Sequence, residues 1–390
     1  MSKFFPIQHY EPNVGKYQLL PFRFERITDS DVVLTNAVGE FLFFLRDKLD
    51  SLIDHELEPT DIDYQNLRAK HFLQEPGDLA PVELLALKTR TKFKNLSSFT
   101  NLHLFVVTLR CDHSCQYCQV SRQSEDRAAF DMTKETADKA LDVVFRSPNP
   151  AIKIEFQGGE PLLNFELIKY VVEKAEQINS IEKRDMQFVV TTTLSLATTV
   201  MLEYFRDHKI YLSSSLDGPE DLHNKNRSRP GHNSHQKFVQ GLKKARDILG
   251  YDSVSALMTT SPASLGRCRD IIDEYISNGF DSIFLRHLSP YGFALKTKSY
   301  QSYNVDKWLE FYRDGMDYII ELNKQGVDFS EQYSVILLTK MLTSNDPRFI
   351  DLMNPSGAGI AAVVFNYDGD ERWLRLTGQF FPFFKWKSCC

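Results

Sequence analysis

The chain has no apolar run approaching the length that crosses a bilayer, and its first fifteen residues, MSKFFPIQHYEPNVG, hold no continuous apolar stretch behind a positive start. These absences argue against a helical membrane span and a secretory signal, so the expectation is a soluble, cytoplasmic protein with no membrane partner. Positive charge is not in excess either: 46 Lys and Arg stand against 52 Asp and Glu, a formal net charge of −6 at pH 7. Without a basic field, no nucleic-acid partner is expected. Solenoid-type repeats and long low-complexity tracts are also missing. The six cysteines lack the spacing of a disulfide framework, because three crowd into residues 111–118, Cys268 stands alone, and Cys389 and Cys390 are adjacent. That unevenness points to metal binding.

What is there suits one large domain and a smaller one, with 42% hydrophobic and 25% charged residues in 390. The pattern changes near residue 100. Before it, Tyr17 to Ile27 and Val32 to Thr35 read as strands around a Thr28–Asp31 turn, followed by a helix from about Glu40 to Ile53. From Leu102, six strand-like runs (LHLFVVTL, IKIEFQ, MQFVVTTT, IYLSSSL, SVSALMTT and SIFLRHL) alternate with amphipathic helical stretches such as Lys134 to Phe145, Leu163 to Ile178 and Gln236 to Leu249. Repeated βα units predict an α/β fold, a parallel sheet curling toward a full or partial TIM-like barrel with its site at the strand C-terminal ends. The expected division is an N-terminal α+β domain (1–99), a core (100–290) and a helical extension (291–390) that ends as the start of another module, NPSGAGIAAVVFNYDGD.

The first core strand runs straight into Cys111-Asp112-His113-Ser114-Cys115-Gln116-Tyr117-Cys118. Three thiolates on one loop can hold three corners of a four-iron cluster and leave one iron open. The alternative is zinc bound by three cysteines and His113 or a distant histidine, with His113 otherwise a solvated loop residue. After the second strand, Gly158 and Gly159 permit close backbone approach to a ligand, and Glu160 can face an ammonium; the plain alternative is a strand-to-helix turn. On the fourth strand, Ser213 and Ser215 share a face. Cys268 reads as a packed thiol.

The cysteine loop resembles the CxxxCxφC signature of the radical S-adenosylmethionine (SAM) superfamily, with Tyr117 as the aromatic φ, and Gly158–Pro161 resembles its GGEP motif. The stretch from Ser215 to Arg227, SLDGPEDLHNKNR, is similar to that of its peptide-modifying members, including anaerobic sulfatase maturases. The resemblance covers roughly residues 100 to 290 and implies a partial (β/α)6 barrel. It also implies a [4Fe-4S] cluster on Cys111, Cys115 and Cys118, with SAM chelating the open iron and cleaved to a 5′-deoxyadenosyl radical. Tyr117, Gly158, Gly159, Glu160 and Thr192 would line the SAM site, Ser213 and Ser215 would face it, with Ser215 on the ribose, Arg227 would take the carboxylate, and Leu288 would flank the adenine. A guanidinium is a natural bidentate partner of a carboxylate. Thr193 departs from the Thr-Asn pattern common among relatives.

At whole-chain level the sequence resembles the radical SAM maturase of the His-Xaa-Ser peptide system, through LPFRF (20–24), LRCDHSCQYCQVSR (109–122), EFQGGEPLLNFELIKY (155–170) and NYDGD (366–370). This implies a ribosomal precursor peptide or protein as substrate and a reductant such as flavodoxin or ferredoxin. A formylglycine-generating sulfatase maturase and a non-catalytic leader-peptide-binding partner are the alternatives. The N-terminal domain would suit peptide recognition by strand addition, or would merely cover the barrel. Relatives continue into a cysteine-containing SPASM module, whereas this chain reads ERWLRLTGQFFPFFKWKSCC after NYDGD, so a truncated extension without auxiliary clusters is expected.

Overall fold

The computed structural model describes residues 16–94, 98, 100–290, 292–343, 349, 352 and 361–369, and the chain divides into two compact units, Met1–Ser97 and Ser98–Cys390.

In the first unit, β1 (Gln18–Leu19) pairs antiparallel with β5 (Leu73–Gln74), while β2 (Phe22–Arg26), β3 (Asp31–Asn36) and β4 (Phe41–Leu45) form an antiparallel sheet. The run expected as one strand, Tyr17 to Ile27, is therefore two strands in different sheets. The helix expected from Glu40 begins only at Arg46, because Phe41–Leu45 pairs with β3 in the register Leu34↔Leu42 and Val32↔Phe44. Phe44 thereby joins Val32, Leu34, Leu52, Tyr64 and Phe72 in this unit's core. An aromatic run suits a pleated, half-buried surface, and here that outweighs helical spacing. Two further helices, Ile62–Ala69 and Ala80–Lys92, follow among the described residues.

In the second unit, β6 (Leu102–Thr108), β7 (Ala151–Gly158), β8 (Asp185–Thr191), β9 (Ile210–Ser215), β10 (Val254–Leu257), β11 (Ser282–Ile283), β12 (Ser330–Glu331) and β13 (Ala362–Phe365) follow in chain order. Six of them form one parallel sheet in the order β10-β9-β8-β7-β6-β13. This is the α/β sheet of a partial TIM-like barrel. On β7 the alternation is clean: Ile152, Ile154 and Phe156 are buried among helical residues such as Leu141, Ile168 and Val172, while Lys153, Glu155 and Gln157 turn to the other face. Thr133 caps the helix Lys134–Phe145 by accepting from Thr136 N at 3.2 Å, and Lys183 ends the helix Phe165–Glu182 in the left-handed region at φ 56°.

The sixth core run behaves differently from expectation. Of Ser282–Leu288 only β11 is a ladder, and it pairs with β12; the remainder meets the segment after β10 through Thr260 N donating to Arg286 O at 3.0 Å. The sixth strand of the main sheet is β13, from the stretch assigned to the C-terminal extension, in the register Ala362↔Leu102 and Phe365↔Phe105. Its Phe365 ring lies 5.0 Å from that of Phe105, so packing against β6 draws it into the sheet. Among the described residues no helix is long and apolar enough to cross a membrane.

Phe156 is fully buried where helices cover β7. Phe156→Ala is expected to cost about 3–5 kcal/mol, read as a lower midpoint in urea denaturation of the full chain; a loss below about 1 kcal/mol would show this core to be loosely packed.

Candidate metal centre

Beyond Thr108 the chain leaves β6 and is held at once from several sides. Arg110 Nε and Nη2 donate to the two oxygens of Asp131, each at 2.7 Å, and Nη2 also reaches Leu163 O at 2.7 Å. The end of β7 runs alongside, with Gly159 N donating to Thr108 O at 2.8 Å and Glu160 N to Arg110 O at 2.7 Å. A Cβ on Gly158 would lie 2.2 Å from Thr108 O, and one on Gly159 2.0 Å from Arg110 O. In this structure, then, the two glycines admit the protein's own backbone, where the sequence reading had a ligand. Cys111 follows this seam directly, and Cys115 and Cys118 stand on the loop that continues from it.

The three cysteines are half-buried and free. Burial pushes the Cys115 thiol up to about 12 against the pull of Arg227, and raises Cys111 well above its usual value, with the Glu160 carboxylate adding to the effect. A metal binds such thiols as thiolates, so its binding would release the protons that burial otherwise holds on them. His113 N donates to Cys111 Sγ at 3.4 Å, the kind of contact that favours a thiolate.

Asp112 and His113 explain how the loop is braced. His113 is buried, not solvated as the sequence suggested; its Nδ1 lies 2.8 Å from Asp112 Oδ1 and its Nε2 3.1 Å from Ser234 Oγ. Cys111, Asp112 and His113 place ligand atoms within 4.8 Å of one another, and in this structure both His113 ring nitrogens face protein partners. Asp112 Oδ2 accepts from Ser195 Oγ at 2.6 Å and lies 3.6 Å from Arg229, and Ser114 and Ser228 exchange two hydrogen bonds of 2.6 and 3.1 Å. Three free thiols on one loop fit a cluster held at three corners.

Glu160 is fully buried. Its Oε1 accepts from Leu162 N (3.1 Å) and Thr192 Oγ1 (2.7 Å), and its Oε2 from Thr193 N (2.8 Å) and Thr193 Oγ1 (2.7 Å). Burial raises its pKa and these donors oppose the rise. Its acceptor sites are thus filled by the protein, and Thr193, set aside in the sequence, supplies two of the donors where Thr192 supplies one.

A second buried charge lies under Tyr117. The Tyr117 hydroxyl donates to Asp217 Oδ2, and Arg227 Nε lies 3.2 Å from the same oxygen with its guanidinium 5.5 Å from the Tyr117 ring centre. Asp217 Oδ1 accepts from Thr259 N at 3.2 Å, while Asp217 N donates to Nδ1 of buried His223 at 3.3 Å. Burial works against the Arg227 charge, but Asp217, Tyr117 and Cys115 outweigh it and raise its pKa. Arg227 is held to Asp217 by charge at this distance, and its buried Nε has no hydrogen-bond partner among the described residues. Leu288 packs with Tyr117 and Ala294, and Phe293 N donates to Cys118 O at 2.9 Å.

Ser213 and Ser215 share the half-buried side of β9, opposite buried Leu212 and Ser214, and Ser213 O accepts from Thr192 N at 2.9 Å. Cys268 is buried in the main core, as its packed reading requires. Cys389 and Cys390 lie outside the described residues. Sequence reasoning missed Arg110, Asp112, Asp131 and Asp217. Adjacency to Cys111 was the available signal for the first two, and a place inside the Ser215–Arg227 stretch for Asp217; none marked Asp131.

Residues 105–283 match the family model described as the Radical SAM superfamily. The radical SAM cyclopropyl synthase TigE of Paramaledivibacter caminithermalis is 22% identical over 304 residues, covering 73% of this chain and 59% of that protein. The matched regions span 63% and 59% of the length of the first two curated relatives, so the chain covers about three fifths of them. AdoMet-bound anSMEcpe, an anaerobic sulfatase maturase, aligns with a TM-score of 0.55 at 18% identity, over 68% of this chain and 72% of its own. Streptococcus suis SuiB bound to S-adenosylmethionine aligns with a TM-score of 0.51 at 17% identity, over 90% and 80%; SuiB has also been solved with its precursor peptide SuiA. At such identities these likenesses establish the fold.

Removing one partner of the buried pair strands the other charge. Asp217→Asn is expected to destabilise the chain by about 3–5 kcal/mol, measured by denaturant unfolding. An unchanged midpoint would mean that solvent, not Asp217, satisfies Arg227.

Proposed function

From the premise that residues 105–283 form a radical SAM domain, we propose that this chain is a radical SAM enzyme that modifies a ribosomally made peptide, in the manner of a His-Xaa-Ser system maturase. The observation that carries this reading is the donor set of Cys111, Cys115 and Cys118 on one braced loop at the C-terminal end of β6, with His113 committed elsewhere. These three would hold a [4Fe-4S] cluster, which with SAM supplies one-electron cleavage of a sulfonium and hydrogen-atom abstraction from a substrate C–H bond.

The protein's own part is to bind, orient and exclude water. Rotation of the Thr192 or Thr193 hydroxyl releases an acceptor of Glu160 for the SAM ammonium. The Arg227 guanidinium, neutralised on one side by Asp217, suits its carboxylate. Ser213 and Ser215 offer hydroxyls to the ribose, and Tyr117 and Leu288 form the apolar wall against which the adenine rests. Gly158 and Gly159 serve the site by letting β7 close on β6.

The first unit is proposed to recognise the precursor. β2 is paired only with β3 among the described residues, and four of its five residues are exposed, which leaves an edge for an extended peptide. The electron would come from a carrier such as flavodoxin or ferredoxin. A reducing cytoplasm would keep the three thiols available.

Anaerobic reconstitution with iron and sulfide, followed by SAM and a reductant, is expected to yield 5′-deoxyadenosine, and Cys115→Ala to reduce the yield to background. Full cluster loading without that product would favour a non-catalytic peptide-binding partner. Deuterium passing from a His-Xaa-Ser peptide deuterated at carbon into 5′-deoxyadenosine would support the maturase. Transfer only from a sulfatase Cys or Ser peptide would replace it with a formylglycine-forming enzyme.

A further inference from the structure

The concave face of the main sheet carries a carboxylate that the proposed cofactor contacts do not use. Because Ile152, Ile154 and Phe156 face the helices, Lys153, Glu155 and Gln157 share the inner face of β7. The register sets Glu155 beside Leu104 of β6 and Val189 of β8, and Val189 beside Tyr211 of β9. One row therefore runs from a carboxylate across an apolar residue to an aromatic ring, and Tyr211 is 48% exposed on that face.

Glu155 is seated asymmetrically. Gln157 Nε2 and Thr191 Oγ1 both donate to its Oε1, at 2.7 and 2.9 Å. Among the described residues Oε2 has no donor, and no cation forms an ion pair with this carboxylate; Lys153, on the same face and two residues earlier, makes none. Two donors on one oxygen fix the rotamer and leave the other oxygen presented to the inside of the barrel. A half-buried carboxylate held in this way gains most from a partner that brings both a positive charge and an N–H group. Tyr211, across Val189, offers a ring face that a cation also favours. Gln157, two residues further along β7, is one inner-face row closer to the cysteine loop, roughly 7 Å on by strand geometry. A side chain gripped at Glu155 would therefore tether its peptide within the barrel beneath the reactive end.

We propose that Glu155 is the substrate-selecting carboxylate of the barrel's inner face. Its occupant is a peptide side chain with a cationic or N–H-donating nitrogen, of imidazole or ammonium type, held on Oε2 and flanked by Tyr211. This deepens the peptide-modifying reading above and rests on it.

The test uses the full-length reconstituted chain and fluorescein-labelled synthetic peptides of His-Ala-Ser repeats, with Lys, Gln or Glu replacing His in matched peptides. Fluorescence anisotropy is expected to rank His and Lys above Gln, and Gln above Glu, with roughly tenfold between His and Gln. Glu155→Gln keeps an acceptor for Thr191 and should erase the preference for His over Gln. Glu155→Lys should bind the Glu peptide better than the wild type does, a charge-swap rescue that a merely structural role would not produce. Unchanged preference in Glu155→Gln, or no binding of the His or Lys peptide to the wild type, overturns the proposal. Peptide-free formation of 5′-deoxyadenosine in the same preparation separates the two readings. Its absence counts against the radical SAM function, whereas its presence without charge preference counts only against Glu155.

Discussion

The site depends on a backbone seam with no room for side chains. Where β6 and β7 end, Thr108–Arg110 and Gly158–Glu160 pass so close that a Cβ on Gly159 would sit 2.0 Å from Arg110 O. Two backbone hydrogen bonds close the seam. Cys111 emerges from one side of it and Glu160 from the other. The glycines therefore act first on the protein itself: they bring the thiol loop and a buried carboxylate to one place before any ligand arrives.

Bringing these groups together gathers charge in a poorly solvated region, and the structure answers with paired contacts. Glu160 is met by four donors, Asp131 by the Arg110 fork, and Asp217 by Arg227, Tyr117 and a backbone N–H. Buried charges persist only where such partners exist. Asp112 and His113, which occupy the spacing between the first two cysteines, tie the loop to Ser195, Arg229 and Ser234. With the loop so braced, its three free thiols suit a cluster with one corner open.

Much of the fold was legible where period and length agreed. The helix Lys134–Phe145 and the strands β6 to β9 lie where alternating apolar runs placed them. Reading failed where a segment's state depends on a distant partner. Phe41–Leu45 has helical spacing but becomes a strand because β3 offers an edge. Ser282–Leu288 has strand composition but pairs over only two residues, and with β12. Ala362–Phe365 enters the main sheet beside β6, some 260 residues earlier in the chain, through a ring contact that no local pattern announces.

The same division holds at the site. The sequence by itself determined the three-thiol loop, the glycine pair and the parallel α/β architecture, because each is written in adjacent residues or in a short period. Only the tertiary structure decided that His113 is a brace, that Glu160 is shared between Thr192 and Thr193, that Asp217 anchors Arg227, and that Glu155 presents a free oxygen to the barrel interior. The physical reason is that burial, counter-charge and hydrogen-bond direction are properties of groups brought together across the fold: Tyr117 and Asp217 stand 100 residues apart in the chain and His113 and Ser234 stand 121 apart. Neither separation carries a local signal.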